Sequence, residues 1–296
     1  MDLIRADGKP LSTFQIARVL PRERVIAVPS HWTNLHLDLL NCSFGRVTYD
    51  HPVEEEEAGP NTLHLLFQSF ANVNAWKRAH SVPYLMCQDK KIYQGGCLGL
   101  FFEGKIAEVF PCTTFHAQPV SKHERSPPFA VYLDMKRLQW IREDYHEPSS
   151  KMYGDNAKIA RAISDIKIKQ TTPENPMHDP YIPALLVAMA QEQQASAAEI
   201  DSLSDVLRMT VWRPPVAVIQ NVADQTQFRP KLILAKPRSD FVYLYETNIN
   251  SMFLCKFSDP GVKPPCSTNM EIRISAIPIK PIYTLGRRLN ELVLPF

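Results

Sequence analysis

Glycine is scarce in this chain, with 10 residues among 296, whereas proline occurs 25 times. The glycine-dependent phosphate-binding patterns G-x-G-x-x-G and G-x-x-x-x-G-K-[ST] are both missing, as are H-E-x-x-H and G-x-S-x-G. The sequence therefore gives no support for a P-loop nucleotidase, a dinucleotide-dependent oxidoreductase, a zincin or an α/β-hydrolase.

An excess of charge of one sign is also lacking, because 33 Lys and Arg residues oppose 31 Asp and Glu residues. Binding to nucleic acid would then depend on a local basic patch and not on the net charge. No apolar run approaches the ~18 residues of a membrane helix, and the polar first residues show no secretory signal. We expect a cytoplasmic protein that has no membrane partner.

The six cysteines form no C-x-x-C pair and show no spacing typical of a metal site. In a reducing compartment, cysteines of this kind are usually free thiols. We predict neither a metal nor a cofactor.

Strands and helices are predicted to alternate along the chain. Short β-branched or apolar runs predict strands at 24–28, 84–87, 97–102, 106–110, 129–133, 216–222, 231–235, 241–245 and, with an edge-like character, 270–279. Helices are predicted around 63–76, 135–141, 155–169, 181–198, 197–207, 248–257 and 285–292, whereas 34–40 fits either a helix or a strand. This interleaving favours an α/β layered fold in one domain over 1–296, with a subdivision near 170–180 as the alternative.

Ser30 is the first candidate for chemistry. It follows the predicted strand at 24–28, and ligands of open α/β sheets collect at the carboxyl ends of strands. His31 or His36 could supply a base for a serine nucleophile. The simpler interpretation is a turn or helix-capping serine.

Asp144 and Glu147 belong to an acidic cluster at 143–147. On one helical face, this i,i+3 pair could hold a guanidinium group by two hydrogen bonds. Arginine is the cation whose planar shape best matches such a site. A solvated helix end that pairs with Arg142 is the alternative interpretation.

Glu103 and Lys105 follow an apolar strand, with Asp89 upstream, which is the outline of a PD-(D/E)xK nuclease site. The carboxylates would hold a divalent cation and the lysine would stabilise the attacking hydroxide. An ordinary β-turn with flanking charges accounts for the same residues.

A basic face is predicted on the helix at 155–169. It carries Lys158, Arg161, Lys167 and Lys169, which could follow a phosphate backbone. The alternative is a solvated helix face.

Four segments resemble the fungal arginine-containing cyclodipeptide synthases: RVIAVPSHWTN, DPYIPALLVAMAQEQ, KLILAKPRSDFVYLYETNINSMFLCKF and IPIKPIYTLGRRLNELVLP. The resemblance implies a Rossmann-like mixed or parallel sheet flanked by helices, similar to class I aminoacyl-tRNA synthetase catalytic domains. It also implies that Ser30 is the nucleophile and that Asp144 and Glu147 bind arginine. The chain departs from the bacterial enzymes of this type at Pro29, and at Leu185 four positions after Tyr181.

The activity that this resemblance implies is synthesis of an arginine-containing diketopiperazine. Arginyl-tRNA would transfer arginine to Ser30 as an ester, and a second aminoacyl-tRNA would supply the other residue. The tRNA would lie along the basic face from Lys158 to Lys169. The metal-dependent nuclease and a non-catalytic interaction protein are the two alternative functions.

Overall fold

A computed structural model describes residues 5–6, 9–50, 75–88, 91–118, 126–148, 155–199, 226–263 and 268–294. The strands are β1 (Arg5–Ala6), β2 (Lys9–Pro10), β3 (Cys42–Tyr49), β4 (Ile92–Phe102), β5 (Lys105–Ala117), β6 (Pro128–Asp134), β7 (Gln227–Phe228), β8 (Lys231–Ala235), β9 (Phe241–Glu246), β10 (Ile249–Asn250) and β11 (Met270–Pro278). The helices are α1 (Thr13–Val19), α2 (Asn34–Leu40), α3 (Ala75–Met86), α4 (Met135–His146), α5 (Asp155–Thr171), α6 (Tyr181–Glu199), α7 (Ser251–Ser258) and α8 (Ile282–Val293). Two 3-10 turns lie at Pro29–His31 and Pro176–His178.

Seven strands form one mixed sheet in the order β3-β11-β9-β8-β6-β5-β4. β11 pairs with β3 in parallel and β6 pairs with β8 in parallel, whereas the other four pairings are antiparallel. Consequently β3, β4, β6, β8 and β11 run in one direction, and β5 and β9 run in the other. Helices flank this sheet, so the predicted Rossmann-like α/β fold is confirmed.

The two faces of the sheet are covered by different helices. On one face, α6 is buried from Tyr181 to Ala190, as expected of a helix that is apolar on every side. On the other face, α3 and α8 cover β6, β8 and β9. These two helices approach so closely at Gly286 that a Cβ atom there would lie 2.6 Å from the Leu85 carbonyl oxygen.

Three sequence-based predictions were wrong. The segment 24–28 is an irregular loop and not a strand, and Tyr84, Leu85 and Met86 form the end of α3. Short apolar runs do not distinguish a strand from a buried loop or helix end. β11 is not an edge strand, because it pairs with β3 on one side and β9 on the other. Pro278 is tolerated there because it is the last residue of the strand.

Several predicted elements fall wholly or mostly outside the described residues: 63–76, 197–207 and 216–222. The ambiguous segment 34–40 is the helix α2. Within the described part of the chain, no helix combines the length and the apolar character needed to cross a lipid bilayer.

Candidate active site

Ser30 lies in the 3-10 turn Pro29–His31 and is almost completely buried, with 1% of its surface exposed. Its backbone N–H donates a hydrogen bond of 2.8 Å to Oε2 of Glu108. The loop before it is held by Trp32, whose indole Nε1 donates to the carbonyl oxygen of Ala27 at 2.9 Å. The Ser30 hydroxyl oxygen has no hydrogen-bond partner. A buried hydroxyl in this state is uncommon in folded proteins and calls for an explanation.

The hydrogen bond between Ser30 and Glu108 lies at the carboxyl end of the parallel strands, as the position of Glu108 in β5 shows. Glu108 stands opposite Leu100 near the end of β4, and in the β5–β6 register it lies beyond Asp134, the last residue of β6. Ligands of open α/β sheets bind at this end of the strands. Ser30 therefore occupies the expected edge of the sheet, although the segment before it is a loop and not the predicted strand.

Burial raises the pKa of the Glu108 carboxyl group. The Ser30 N–H, the hydroxyl groups of Ser30 and Tyr181, and the positive charge of Arg142 oppose this shift. Both hydroxyl groups lie near the carboxyl group, but neither has the distance and angle of a hydrogen bond, so the Ser30 N–H bond is the only one we assign. A carboxyl group with a raised pKa keeps its proton to a higher pH than an exposed carboxyl group does, which makes it a candidate for proton transfer.

Tyr181 faces Glu108 from the first turn of α6 and has no exposed surface. Its N–H donates to Oδ1 of Asp179 at 2.9 Å, and its ring lies edge-on to Phe110, with 4.9 Å between the ring centroids. Burial and the nearby charge of Glu108 raise the pKa of the Tyr181 phenol, so the group stays protonated. Its hydroxyl oxygen has no hydrogen-bond partner.

Arg142 of α4 fixes this arrangement through a buried ion pair with Asp179. Nη1 donates to Oδ2 at 2.7 Å and Nη2 donates to Oδ1, which is a bidentate contact. The suggested pairing of Arg142 with the acidic cluster at 143–147 is therefore wrong, since the guanidinium is bound to Asp179. Asp179 in turn holds the first turn of α6 and thus the position of Tyr181.

The predicted histidine base is not seen beside the Ser30 hydroxyl group. The His31 ring stacks on His146 at 4.9 Å and contacts the edge of Tyr145, while Nδ1 of His36 accepts the Thr33 N–H at 3.0 Å. Burial lowers the pKa of all three histidines, that of His36 to about 4. At neutral pH these rings are uncharged, and Glu108 is the titratable group in contact with Ser30.

An open groove of about 760 Å³ begins beside this corner. Some of the predicted site residues line the groove and others lie outside it. Glu147 and Lys167 line the groove together with His31, Arg22 and Arg24. The remaining predicted residues are exposed on the protein surface outside the lining: Asp144, Lys158, Arg161 and Lys169. Ser30 itself lies behind His31, so the serine and the acidic pair do not share one cavity.

The outline of a nuclease site corresponds to a tight turn between β4 and β5. Glu103 and Gly104 both have positive φ angles, 51° and 71°, and Lys105 is exposed. Two central residues of this kind are typical of a type I′ hairpin turn. Asp89 lies outside the described residues. Among the residues that the structure describes, no group of three His, Cys, Asp or Glu side chains could hold a metal ion.

Unsatisfied polar atoms are concentrated around Ser30. Six of the nine buried side-chain atoms without a partner in the described chain belong to this corner: Ser30 Oγ, His31 Nε2, His36 Nε2, Arg142 Nε, His146 Nε2 and Tyr181 Oη. Such groups cost free energy unless a ligand or solvent satisfies them. Their concentration at the carboxyl edge of the sheet indicates a candidate active site.

Sequence reasoning missed Glu108 and Asp179. Glu108 interrupts the apolar strand β5 between Ala107 and Val109, and an acidic residue at such a position is a usable signal. Asp179 is separated from Arg142 by 37 positions, and no local pattern predicts that pairing.

Comparison of the chain with models of protein families, with curated proteins and with solved structures finds no match.

Proposed function

We propose that this chain is an aminoacyl-tRNA-dependent cyclodipeptide synthase that attaches an arginyl group to Ser30. The observation that carries the proposal is the contact among Ser30, Glu108 and Tyr181 at the carboxyl end of the sheet. A serine hydroxyl beside a carboxyl group of raised pKa has the two components that acyl transfer requires, a nucleophile and a group that moves its proton.

In the first step, Ser30 Oγ attacks the ester carbonyl carbon of arginyl-tRNA. A new ester bond forms to Oγ, and the bond to the ribose oxygen of the tRNA breaks. Glu108, in its ionised form, accepts the serine proton and returns it to the departing ribose oxygen. Tyr181 stays protonated and can donate a hydrogen bond to the oxyanion of the tetrahedral intermediate.

In the second step, the amine of a second aminoacyl-tRNA attacks the ester carbonyl carbon at Ser30. A peptide bond forms, the bond to Ser30 Oγ breaks, and the serine hydroxyl is restored, which leaves a dipeptidyl-tRNA. The free amine of the arginyl residue then attacks the ester carbonyl carbon that joins the dipeptide to the tRNA, which closes the diketopiperazine and releases the ribose hydroxyl of the tRNA. Both esters are already activated, so the reaction consumes no ATP and needs neither a metal nor another cofactor.

The substrate assignment depends on the charges around the groove. Glu147 lies in the lining and Asp144 lies three residues before it, which gives arginine two carboxylates near the opening. Arg22, Arg24 and Lys167 also line the groove, and the exposed residues Lys158, Arg161 and Lys169 extend this positive charge along α5. We assign this positive surface to the tRNA phosphates.

Covalent capture of arginine tests the proposal directly. Purified protein is incubated with radiolabelled arginyl-tRNA, and the acid-precipitated protein is treated with ribonuclease and analysed by mass spectrometry. We expect one arginyl ester on the peptide that contains Ser30, and its loss in Ser30→Ala. A matched control is Ser81→Ala, because Ser81 is also buried but lies in α3 on the other face of the sheet. An unlabelled wild-type protein with native circular dichroism would contradict the proposal.

The cyclic product is tested by expression in a bacterium and mass spectrometry of the medium. We expect an arginine-containing diketopiperazine that disappears with Ser30→Ala. Glu108→Gln should lower the yield strongly, because glutamine keeps an acceptor for the Ser30 N–H but cannot move a proton. A soluble, folded protein that releases no such compound would count against the synthase.

The two alternative functions have weaker support. No described group of residues favours the nuclease, since Glu103 and Lys105 lie in an exposed hairpin turn. A non-catalytic interaction protein would not need a buried serine, carboxyl group and tyrosine that meet beside a groove. Magnesium-dependent cleavage of RNA or plasmid DNA that is lost in Glu103→Ala would revive the nuclease.

A further inference from the structure

A second cavity, of about 230 Å³, lies on the other side of the loop that precedes Ser30. Its walls come from α1, the loop at 25–28, α2, the adjacent ends of β4 and β5, and α7, and its lining is mainly apolar: Ile16, Val25, Leu40, Leu100, Phe102 and Phe257. Protein interiors are normally packed to the density of organic crystals. An apolar pocket of this size that opens beside the core is therefore a candidate binding site.

His36 forms part of the wall and is 5% exposed. Its Nδ1 accepts the Thr33 backbone N–H, so the proton of the neutral ring is on Nε2. This Nε2–H donor is buried and has no hydrogen-bond partner of ordinary geometry. The Arg24 carbonyl oxygen lies near the ring and raises its pKa, which partly offsets the larger lowering by burial. The Trp32 ring stacks on His36 at 5.6 Å and keeps the imidazole in this orientation.

Lys256 supplies positive charge at the same wall. Its Nζ donates to the carbonyl oxygens of Leu40 and Thr268, both at 3.3 Å, and lies 4.6 Å from the centre of the Phe253 ring. These contacts hold the ammonium group next to Leu40, which is also a wall residue. A ligand that carries an acceptor or a negative charge would be favoured there over a neutral hydrocarbon.

We propose that this cavity binds a compact aromatic carboxylate, with its ring against the apolar walls and its carboxylate toward His36 and Lys256. Benzene occupies an engineered apolar cavity of roughly 150 Å³, so the space here suits about one substituted ring. None of Ser30, Glu108 and Tyr181 lines this cavity, whereas His36 borders both the cavity and the groove beside Ser30.

Binding of 4-fluorobenzoate, followed by ¹⁹F NMR, tests the site. We expect saturable line broadening with the wild-type protein and intermolecular NOEs from the ligand protons to the Trp32 ring. Ala107→Phe places a ring in the cavity and should weaken binding at least about tenfold. His36→Phe keeps the stacking on Trp32 but removes the donor, and should weaken 4-fluorobenzoate more than 4-fluorotoluene.

The controls make each outcome decisive. Ala117→Phe introduces the same ring at the other end of β5, away from the cavity, and should leave 4-fluorobenzoate binding unchanged. Absence of saturable binding to the wild-type protein would overturn the proposal, as would undiminished binding to folded Ala107→Phe. If Ala107→Phe does not fold, the NOEs decide: contacts to Trp32 support the cavity, and binding without them places the ligand elsewhere and refutes it.

Discussion

Two buried arginine–aspartate pairs lie on the two faces of the sheet and look alike in isolation. Arg78 donates to Asp134 from Nε at 2.7 Å and from Nη2 at 2.9 Å, and Asp134 also accepts the Lys136 N–H at the start of α4. Arg142 likewise donates two hydrogen bonds to Asp179, and Asp179 accepts the Tyr181 N–H at the start of α6. Each aspartate therefore fixes both an arginine and a helix N-terminus.

The surroundings of the two pairs differ. Among the described residues near Arg78, the hydroxyl oxygen of Tyr132 is the buried side-chain atom without a hydrogen bond of ordinary geometry, and it lies close to Asp134. The Arg142 pair instead lies beside Ser30, Glu108 and Tyr181, and Arg142 Nε is itself without a partner. The same kind of ion pair thus lies among well-packed side chains on one face of the sheet and beside the Ser30 corner on the other. The presence of a buried ion pair does not by itself distinguish these roles, but the state of its neighbours does.

The largest effect should come from removing either arginine. Arg78→Met and Arg142→Met each leave a buried aspartate without its counter-ion, and each should lower the free energy of unfolding by about 3–5 kcal/mol in urea titrations. The pKa of Glu108, measured by carboxyl ¹³C NMR, should separate the two variants. It should rise in Arg142→Met, because the Arg142 charge opposes the effect of burial, and stay unchanged in Arg78→Met. An equal response in both variants would remove the distinction between the pairs.

The sequence predicted much of this architecture but only part of the corner. The sequence predicted α5, α6, β6 and β8 because these segments are either helical in their spacing of apolar residues or apolar throughout. The loop at 24–28 was not predicted, because a short apolar run is compatible with several structures. Ser30 was predicted from its position after the expected strand at 24–28, and that segment is a loop. Glu108 meets it across 78 positions, and no local pattern encodes a contact of that range.

A pH effect of intermediate size should come from His36. Its pKa is about 4 in the folded protein against 6.5 for an unperturbed side chain, so the unfolded chain binds the proton more readily. The stability from this group is complete above pH 6.5 and falls as the pH approaches 4, by about 3 kcal/mol. His31 and His146, whose pKa values burial also lowers, act with the same sign.

His36→Gln isolates this contribution, because glutamine keeps an acceptor for the Thr33 N–H and has no charge. Urea unfolding at pH 7 and at pH 4.5 should show a smaller loss for this variant than for the wild-type protein. Ser81→Ala should retain the wild-type dependence on pH, since it removes neither a titratable group nor a counter-ion. A wild-type loss that persists in full in His36→Gln would place the titrating group elsewhere.

The smallest effect should come from Glu108, whose raised pKa lowers the free energy of unfolding at high pH. Its raised pKa means that the folded protein retains a proton that the unfolded chain releases as the pH rises, so the stability falls through this range. Glu108→Gln resembles the protonated form and should leave stability unchanged at pH 4 and raise it at pH 8, by less than about 1 kcal/mol because the group is only partly buried. Asp134→Asn, in the other pair, should instead lower stability at both pH values, because it removes the counter-charge of Arg78. If Glu108→Gln destabilised the fold at pH 8, Glu108 would act there as a structural anchor for the Ser30 turn.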